Sequence, residues 1–170
     1  DNPALTLRFV RRAGPRRPRA LRATEAFALL RAADSSAHGT DARNVALLQL
    51  MLQAGLRVSE VVALRRRDLD LQARSGTVRI RSGKGLKQRE VPLNATVRRA
   101  LTNYLELLGQ GALEEAVFLS KRGTALSVRA AQDVVSGLAK RANITRLPVS
   151  AHTLRHTFAV NFLQSDSGKL

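Results

Sequence analysis

The run Val45-Ala46-Leu47-Leu48-Gln49-Leu50-Met51-Leu52 limits this chain more than any other stretch. Wound as a helix from Asp41 to about Gln53, it is apolar on nearly every side. Such a helix has no face to offer water and belongs at the centre of a domain. Gly55 is placed to close it in the left-handed conformation. The chain restarts at Ser59-Glu60, with Val58, Val61, Val62 and Leu64 apolar. Arg57 is thereby held at a turn between two buried helices. A guanidinium there loses water and needs an anion, which is either internal (Glu60 or a helix C-terminus) or brought from outside.

A second set of anion-gripping groups lies near the C-terminal end, in Ser150-Ala151-His152-Thr153-Leu154-Arg155-His156-Thr157-Phe158. In a helix, positions i, i+3 and i+4 share a face, so His152, Arg155 and His156 project together. Leu154 and Phe158 hold another face against a core, and Ser150 caps the first turn. The competing interpretation is a basic amphipathic helix with two incidental histidines.

Between these stretches the pattern is mainly helical with one small sheet. Thr24 is expected to cap a short helix with Glu25 in its first turn and Phe27 and Leu30 facing inward. His38 falls in a loop and reads as a surface residue. Leu69–Leu71, Thr77–Arg81 and Arg89–Leu93 alternate and are separated by Ser75-Gly76 and by Ser82-Gly83-Lys84-Gly85-Leu86-Lys87. They predict a three-stranded antiparallel meander with Lys84 at a hairpin tip. The Gly-Lys-Gly lacks the spacing of a nucleotide-binding P-loop. Asn94 caps a helix whose apolar stripe is Val97, Ala100, Leu101, Tyr104, Leu105 and Leu108, which makes the only tyrosine a packing residue. Val117–Leu119 is extended and Lys121-Arg122-Gly123 turns. Ser127 caps a helix with Val128, Ala131, Val135 and Leu138 inward.

Charge narrows the partners. Lys and Arg number 29 against 13 Asp and Glu, a net charge of +16. That excess points to a polyanion, nucleic acid or an anionic membrane surface. No apolar run approaches a membrane span, and a cytoplasmic location is expected. With five Phe, one Tyr and no Trp, stacking platforms for single strands are scarce, and duplex DNA held by its phosphates fits better. Residues 1–22 read as a basic linker: Arg8, Arg11, Arg12, Arg16, Arg17, Arg19 and Arg22 come without an acid between them, beside Gly14, Pro15 and Pro18. Residues 23–170 then form one domain.

In register, Ala54–Leu64, Gly83–Leu93, Val117–Ser127 and His152–Ala159 resemble the catalytic domain of the tyrosine recombinases, the phage-integrase and Xer-type family. The likeness runs from about Pro3 to Leu163. It implies a mainly α (α+β) fold, a helical catalytic domain with a small antiparallel three-stranded sheet. It also implies an enzyme of site-specific DNA recombination that cuts and rejoins strands through a 3′-phosphotyrosine. Arg57 resembles the first catalytic arginine and Glu60 the acid that buttresses it. Lys84 is similar to the hairpin lysine that serves as general acid, although Lys87 lies in the same turn. His152 and Arg155 match the HxxR box, with His156 a structural neighbour. Lys87 and Arg89 join the linker arginines as expected DNA contacts. The resemblance further implies a tetramer on two DNA sites for the full-length protein.

The family's nucleophilic tyrosine follows the HxxR helix, and the fifteen residues after Arg155 contain none. The chain is therefore expected to be a catalytic-domain piece, monomeric and inactive in strand cleavage. No cofactor is expected and no metal. His152 and His156 have zinc-protease spacing but lack the Glu of HExxH, and there is no Cys. Two arginine forks would carry the phosphorane charge instead, with His152 as a third donor. The alternatives are a DNA-binding regulator that keeps the fold without catalysis, and a basic RNA-binding protein. The latter accounts for the charge but not for the spacing of Arg57, Lys84, His152 and Arg155.

From charge alone, duplex DNA should bind with little sequence preference and a steep salt dependence. Each neutralised phosphate contributes about −0.9 to the slope of log K against log salt. Titrating labelled duplex at several salt concentrations checks this, and a flat response contradicts it.

Overall fold

The computed structural model describes residues 19–34, 39–81 and 88–167. Among them the chain forms α1 (Ala23–Ala33), α2 (Gly39–Gln53), α3 (Val58–Val62), a 3-10 turn (Arg66–Asp68), β1 (Leu69–Leu71), β2 (Gly76–Arg81), β3 (Gln88–Pro92), α4 (Ala95–Leu108), α5 (Val128–Arg141) and α6 (Ala151–Ser167). The mainly α architecture with one small sheet matches the expectation. The hairpin tip with Lys84 and Lys87, the arginines Arg8, Arg11, Arg12, Arg16 and Arg17, and His38 lie outside the described residues.

Helix α2 sits in the middle, packed against α1, α3, α4 and α6. Its Ala46, Leu47, Leu48, Leu50 and Met51 are fully buried. Burying each large side chain contributes about 1.5–3 kcal/mol. A sequence this apolar is stable only with helices on several sides. Helix α4 supplies one wall through Val97, Leu101 and Tyr104, and Asn94 caps it by accepting from the Val97 N–H at 3.0 Å. Tyr104 is buried as expected. Its ring stacks on Phe118 and its hydroxyl accepts from the Leu119 N–H at 3.3 Å.

The sheet is antiparallel in the order β1-β2-β3, with Val78 opposite both Leu69 and Val91, and Ile80 opposite Arg89. On β2, Val78 and Ile80 are buried while Arg79 and Arg81 are exposed, the period-2 alternation of a half-covered sheet. Arg79 reaches across to Glu90 at 3.2 Å, and Arg81 lies 2.8 Å from the buried Asp68.

Helix α1 differs from expectation in phase, and α5 at a single residue. In α1 the cap is Arg22, whose N–H donates to Glu25 at 2.7 Å, and Thr24 lies inside the helix. Leu29 and Ala33, four apart, are the buried pair, which turns Phe27 out to 65% exposure. In α5 Ser127 caps as expected, accepting from the Ala130 N–H at 3.1 Å. Ala131, Val135 and Leu138 are buried as expected, but Val128, in the first turn, is exposed.

The segment before α1 is tied into the domain from Leu21 onward. Leu21 is buried, and its N–H donates to Thr157 on α6 at 2.9 Å. Arg146 forks onto both carboxylate oxygens of Glu25 at 2.8 and 2.6 Å and also donates to the Ala20 carbonyl at 2.8 Å. The hydrogen-bonded Arg146 guanidinium holds the Glu25 carboxyl down to about 2 from 4.5. A depressed carboxyl contributes stability that is present above about pH 4.5 and is lost as pH falls through about 2. Arg146→Met should therefore lower the melting temperature at neutral pH. It should also flatten the acid-side fall over that window relative to wild type, as melting curves between pH 2 and 7 would record.

Candidate functional site

The site is built around the turn from α2 to α3. Gly55 takes a φ of +66°, the left-handed conformation expected of it, and Leu56 N–H reaches back to the Leu50 carbonyl at 3.2 Å. A side chain at Gly55 would also meet the ring of Phe158, which packs directly against this turn. Arg57 caps α3 in an extended conformation. Its N–H donates to Glu60 Oε2 at 2.8 Å and its Nη1 to Glu60 Oε1 at 3.0 Å. The internal anion weighed for Arg57 is thus present. Yet its side chain remains 59% exposed, so most of the fork faces outward.

Helix α6 brings the second set. Ser150 Oγ accepts from the Thr153 N–H at 3.3 Å, the expected cap. Leu154 is fully buried and Phe158 half-buried, which fixes the helix's rotation. Arg155 then points at the α2–α3 turn. Its Nη1 donates to the Gly55 carbonyl at 2.6 Å and stands 3.9 Å from Glu60 Oε2. Burial lowers the Arg155 guanidinium's pKa, as do the positive charges of Arg57 and Arg89, while Glu60 opposes them. Two arginines from distant parts of the chain are therefore close enough to repel, a place where an anion is stabilised.

Glu60 is the hub. It accepts from Arg57 and, at 2.9 Å, from Arg89 Nη2, and it forms a longer ion pair with Arg155. Burial alone would raise its carboxyl. The hydrogen bonds from Arg89 and Arg57 outweigh that and hold it below the usual range. Its side chain is 12% exposed, so it braces the arginines from behind.

Arg57, His152 and Arg155 line one open cavity with Ser59 and Ser150, and α5 closes the opposite wall with Arg129, Gln132 and Ser136. His152 is exposed into this space, whereas His156, half-buried on the same helix, is not part of its lining. Arg19 is exposed on the chain leading into α1. Among the described residues no three His, Asp or Glu side chains come together as a metal site, and no helix is long and apolar enough to cross a membrane. Spacing alone did not reveal that the Gly55 carbonyl holds Arg155, or that Arg89 reaches Glu60. The signal for the second was available in the strand register, which sets Arg89 opposite inward-facing Ile80.

Residues 19–168 match the Phage integrase family. The chain belongs to that family. It is 40% identical over 157 residues to tyrosine recombinase XerD of Mycobacterium tuberculosis (strain ATCC 25618 / H37Rv), a match covering 88% of this chain and 49% of the relative. It is 40% identical over 170 residues to tyrosine recombinase XerC of Xanthomonas axonopodis pv. citri (strain 306), covering 99% and 52%. The chain thus spans about half the length of these relatives. Among solved structures, the XerA recombinase superposes with a TM-score of 0.75 at 32% identity, covering 87% of this chain and 52% of that one. XerH site-specific recombinase bound to difH substrate, in a pre-cleavage complex, superposes with a TM-score of 0.73 at 28% identity, covering 88% and 44%. This integrase-family fold therefore accounts for the six helices and the small sheet together.

Gly55 gives a direct test of the turn. Gly109 also has a positive φ, of 82°, but open space where a Cβ would go. With a ψ of −175° Gly109 sits in a region that glycine alone adopts readily, and Gly109→Ala should cost about 1–3 kcal/mol of backbone strain alone. Gly55→Ala adds the collision with Phe158 and should be the more destabilising of the two in urea unfolding. Equal losses would mean that Phe158 moves aside freely.

Proposed function

We propose that the protein carrying this chain performs site-specific DNA recombination, with Arg57, His152 and Arg155 gripping the scissile phosphate. The observation that supports this best is the convergence of Arg57 and Arg155 on one open cavity, each held from behind while its outward donors stay available. A tyrosine hydroxyl attacks phosphorus, the pentavalent phosphorane gains negative charge, and the 5′ oxygen leaves with a proton. Forked guanidinium donors aimed at that charge stabilise the transition state more than the ground state. Lys84 is assigned the proton delivery to the leaving oxygen. The phosphotyrosine bond conserves the energy of the broken phosphodiester, so rejoining needs no nucleotide.

Relatives named tyrosine recombinase and the XerH complex with its difH substrate support duplex DNA as the partner. The basic segment 1–22 is assigned to tracking the backbone beside the catalytic domain 23–170, with Lys87 on the same duplex. A tetramer on two sites is proposed for the full-length protein, a monomer for this chain alone, and the cytoplasm as its place. A second reading, a DNA-binding protein without cleavage, is favoured for these 170 residues by Tyr104. The sequence's one tyrosine is 4% exposed, its hydroxyl is engaged by Leu119, and burial pushes its pKa up.

Two measurements separate these readings. This chain should form no denaturant-resistant adduct with nicked suicide DNA. In full-length protein, Arg57→Lys and Arg155→Lys keep the charge but lose the fork, and cleavage should fall by about 100-fold or more with duplex affinity nearly unchanged. Equal losses in binding and cleavage would make the two arginines ordinary phosphate anchors.

A further inference from the structure

We infer, resting on the proposed phosphate grip of Arg57 and Arg155, that Arg89 is a positioning residue that keeps Arg155 free for the phosphate by occupying Glu60. Three observations carry this. The first is the face on which Arg89 stands. It pairs with Ile80, and directly paired residues of an antiparallel sheet point to the same side. Ile80 is buried, so Arg89 leaves the sheet on the side of the protein, while Arg79 and Arg81 leave it on the other. That orientation delivers its guanidinium to α3.

The second is the sharing of Glu60 Oε2. Arg89 Nη2 lies 2.9 Å from that oxygen and Arg57 N–H 2.8 Å, whereas Arg155 Nη1 stands off at 3.9 Å. A separation of 3.9 Å is an ion pair without a hydrogen bond. Arg155 has a better partner in the Gly55 carbonyl. With Arg89 removed, Oε2 loses a charged donor, and Arg155, already 3.9 Å away, is placed to replace it. Closing that gap would turn the fork of Arg155 away from the cavity and onto the carboxylate.

The third is the charge balance. One carboxylate faces the three guanidinium groups of Arg57, Arg89 and Arg155, leaving the cluster positive even with Glu60 ionised. Burial raises the Glu60 carboxyl, and the hydrogen bond from Arg89 is the largest of the influences that hold it down. Arg89 makes that bond without lining the cavity of Arg57, His152 and Arg155. The same contact ties β3 to α3, the helix that follows Arg57.

The test joins binding to cleavage. The sequence alone places Arg89 among the DNA contacts, but its guanidinium is engaged with Glu60 instead. On the 170-residue chain, Arg89→Gln should therefore leave the salt slope for duplex binding unchanged, whereas loss of a phosphate contact lowers it by about one. In full-length protein, Arg89→Gln should slow cleavage by about 10- to 100-fold, with Arg89→Lys restoring part of it. Combining Arg89→Gln with Glu60→Gln should be no worse than the more damaging single change, because both act on one contact. Additive losses, unchanged cleavage in Arg89→Gln, or a salt slope reduced by about one would each overturn the proposal. Wild-type full-length protein in the same assay tests recombination itself. If it does not cleave, that function fails, while the salt slope of the chain still decides whether Arg89 touches phosphate.

Discussion

A guanidinium taken out of water must find acceptors, and how completely it finds them separates the arginines of this protein into two kinds. Arg146 has several internal partners, with both oxygens of Glu25 and the Ala20 carbonyl on its Nε and Nη2. Arg43, 6% exposed, is likewise engaged by the Leu119 carbonyl and the Asn44 side chain. Such arginines hold elements together. Arg155 is half-buried with one carbonyl at 2.6 Å and a carboxylate too far to hydrogen-bond. Its remaining donors open onto the cavity shared with Arg57. The bond to the Gly55 carbonyl helps seat α6 against the α2–α3 turn, and the donors left over are what an anion in the site would meet.

The acids of this basic chain follow the same logic. Glu25, Glu60, Asp68, Glu90, Glu114, Glu115 and Asp133 each lie against an arginine. Exposed pairs such as Arg129–Asp133 contribute at most about 1 kcal/mol. Their larger effect is on distribution. Carboxylates are few, 13 against 29 Lys and Arg, and these seven are held beside particular cations. Among the described residues, Glu60 is the carboxylate that braces both Arg57 and Arg155, while Arg129 on the facing helix pairs with Asp133.

Much of this was legible in the chain itself. The apolar run of α2 demanded a central helix, because no arrangement with a wet face tolerates it. Alternation around Val78 and Ile80 marked the sheet, and Asn94, Ser127 and Ser150 marked three helix starts by their capping chemistry. Gly55 was readable as a left-handed closure. Phe27 was not readable, since a helix near the surface of a domain can rotate by one position and still bury enough. In α5, which keeps its expected phase, only first-turn Val128 stays exposed. Leu29 and Ala33 won the inward face of α1 only because of what α2 and α5 present to it.

Sequence by itself determined the identities that chemistry requires: Arg57 at a turn, His152 and Arg155 one helical turn apart, an excess of cations, and Tyr104 on a core stripe. These follow from local periodicity and charge, which need no knowledge of distant residues. Tertiary structure alone decided that Arg155 meets Gly55 across 100 positions and that Arg89 rather than Arg155 takes the close oxygen of Glu60. Such contacts are set by how helices and strands pack, and a difference of about one ångström between two donors is invisible to any pattern along the chain.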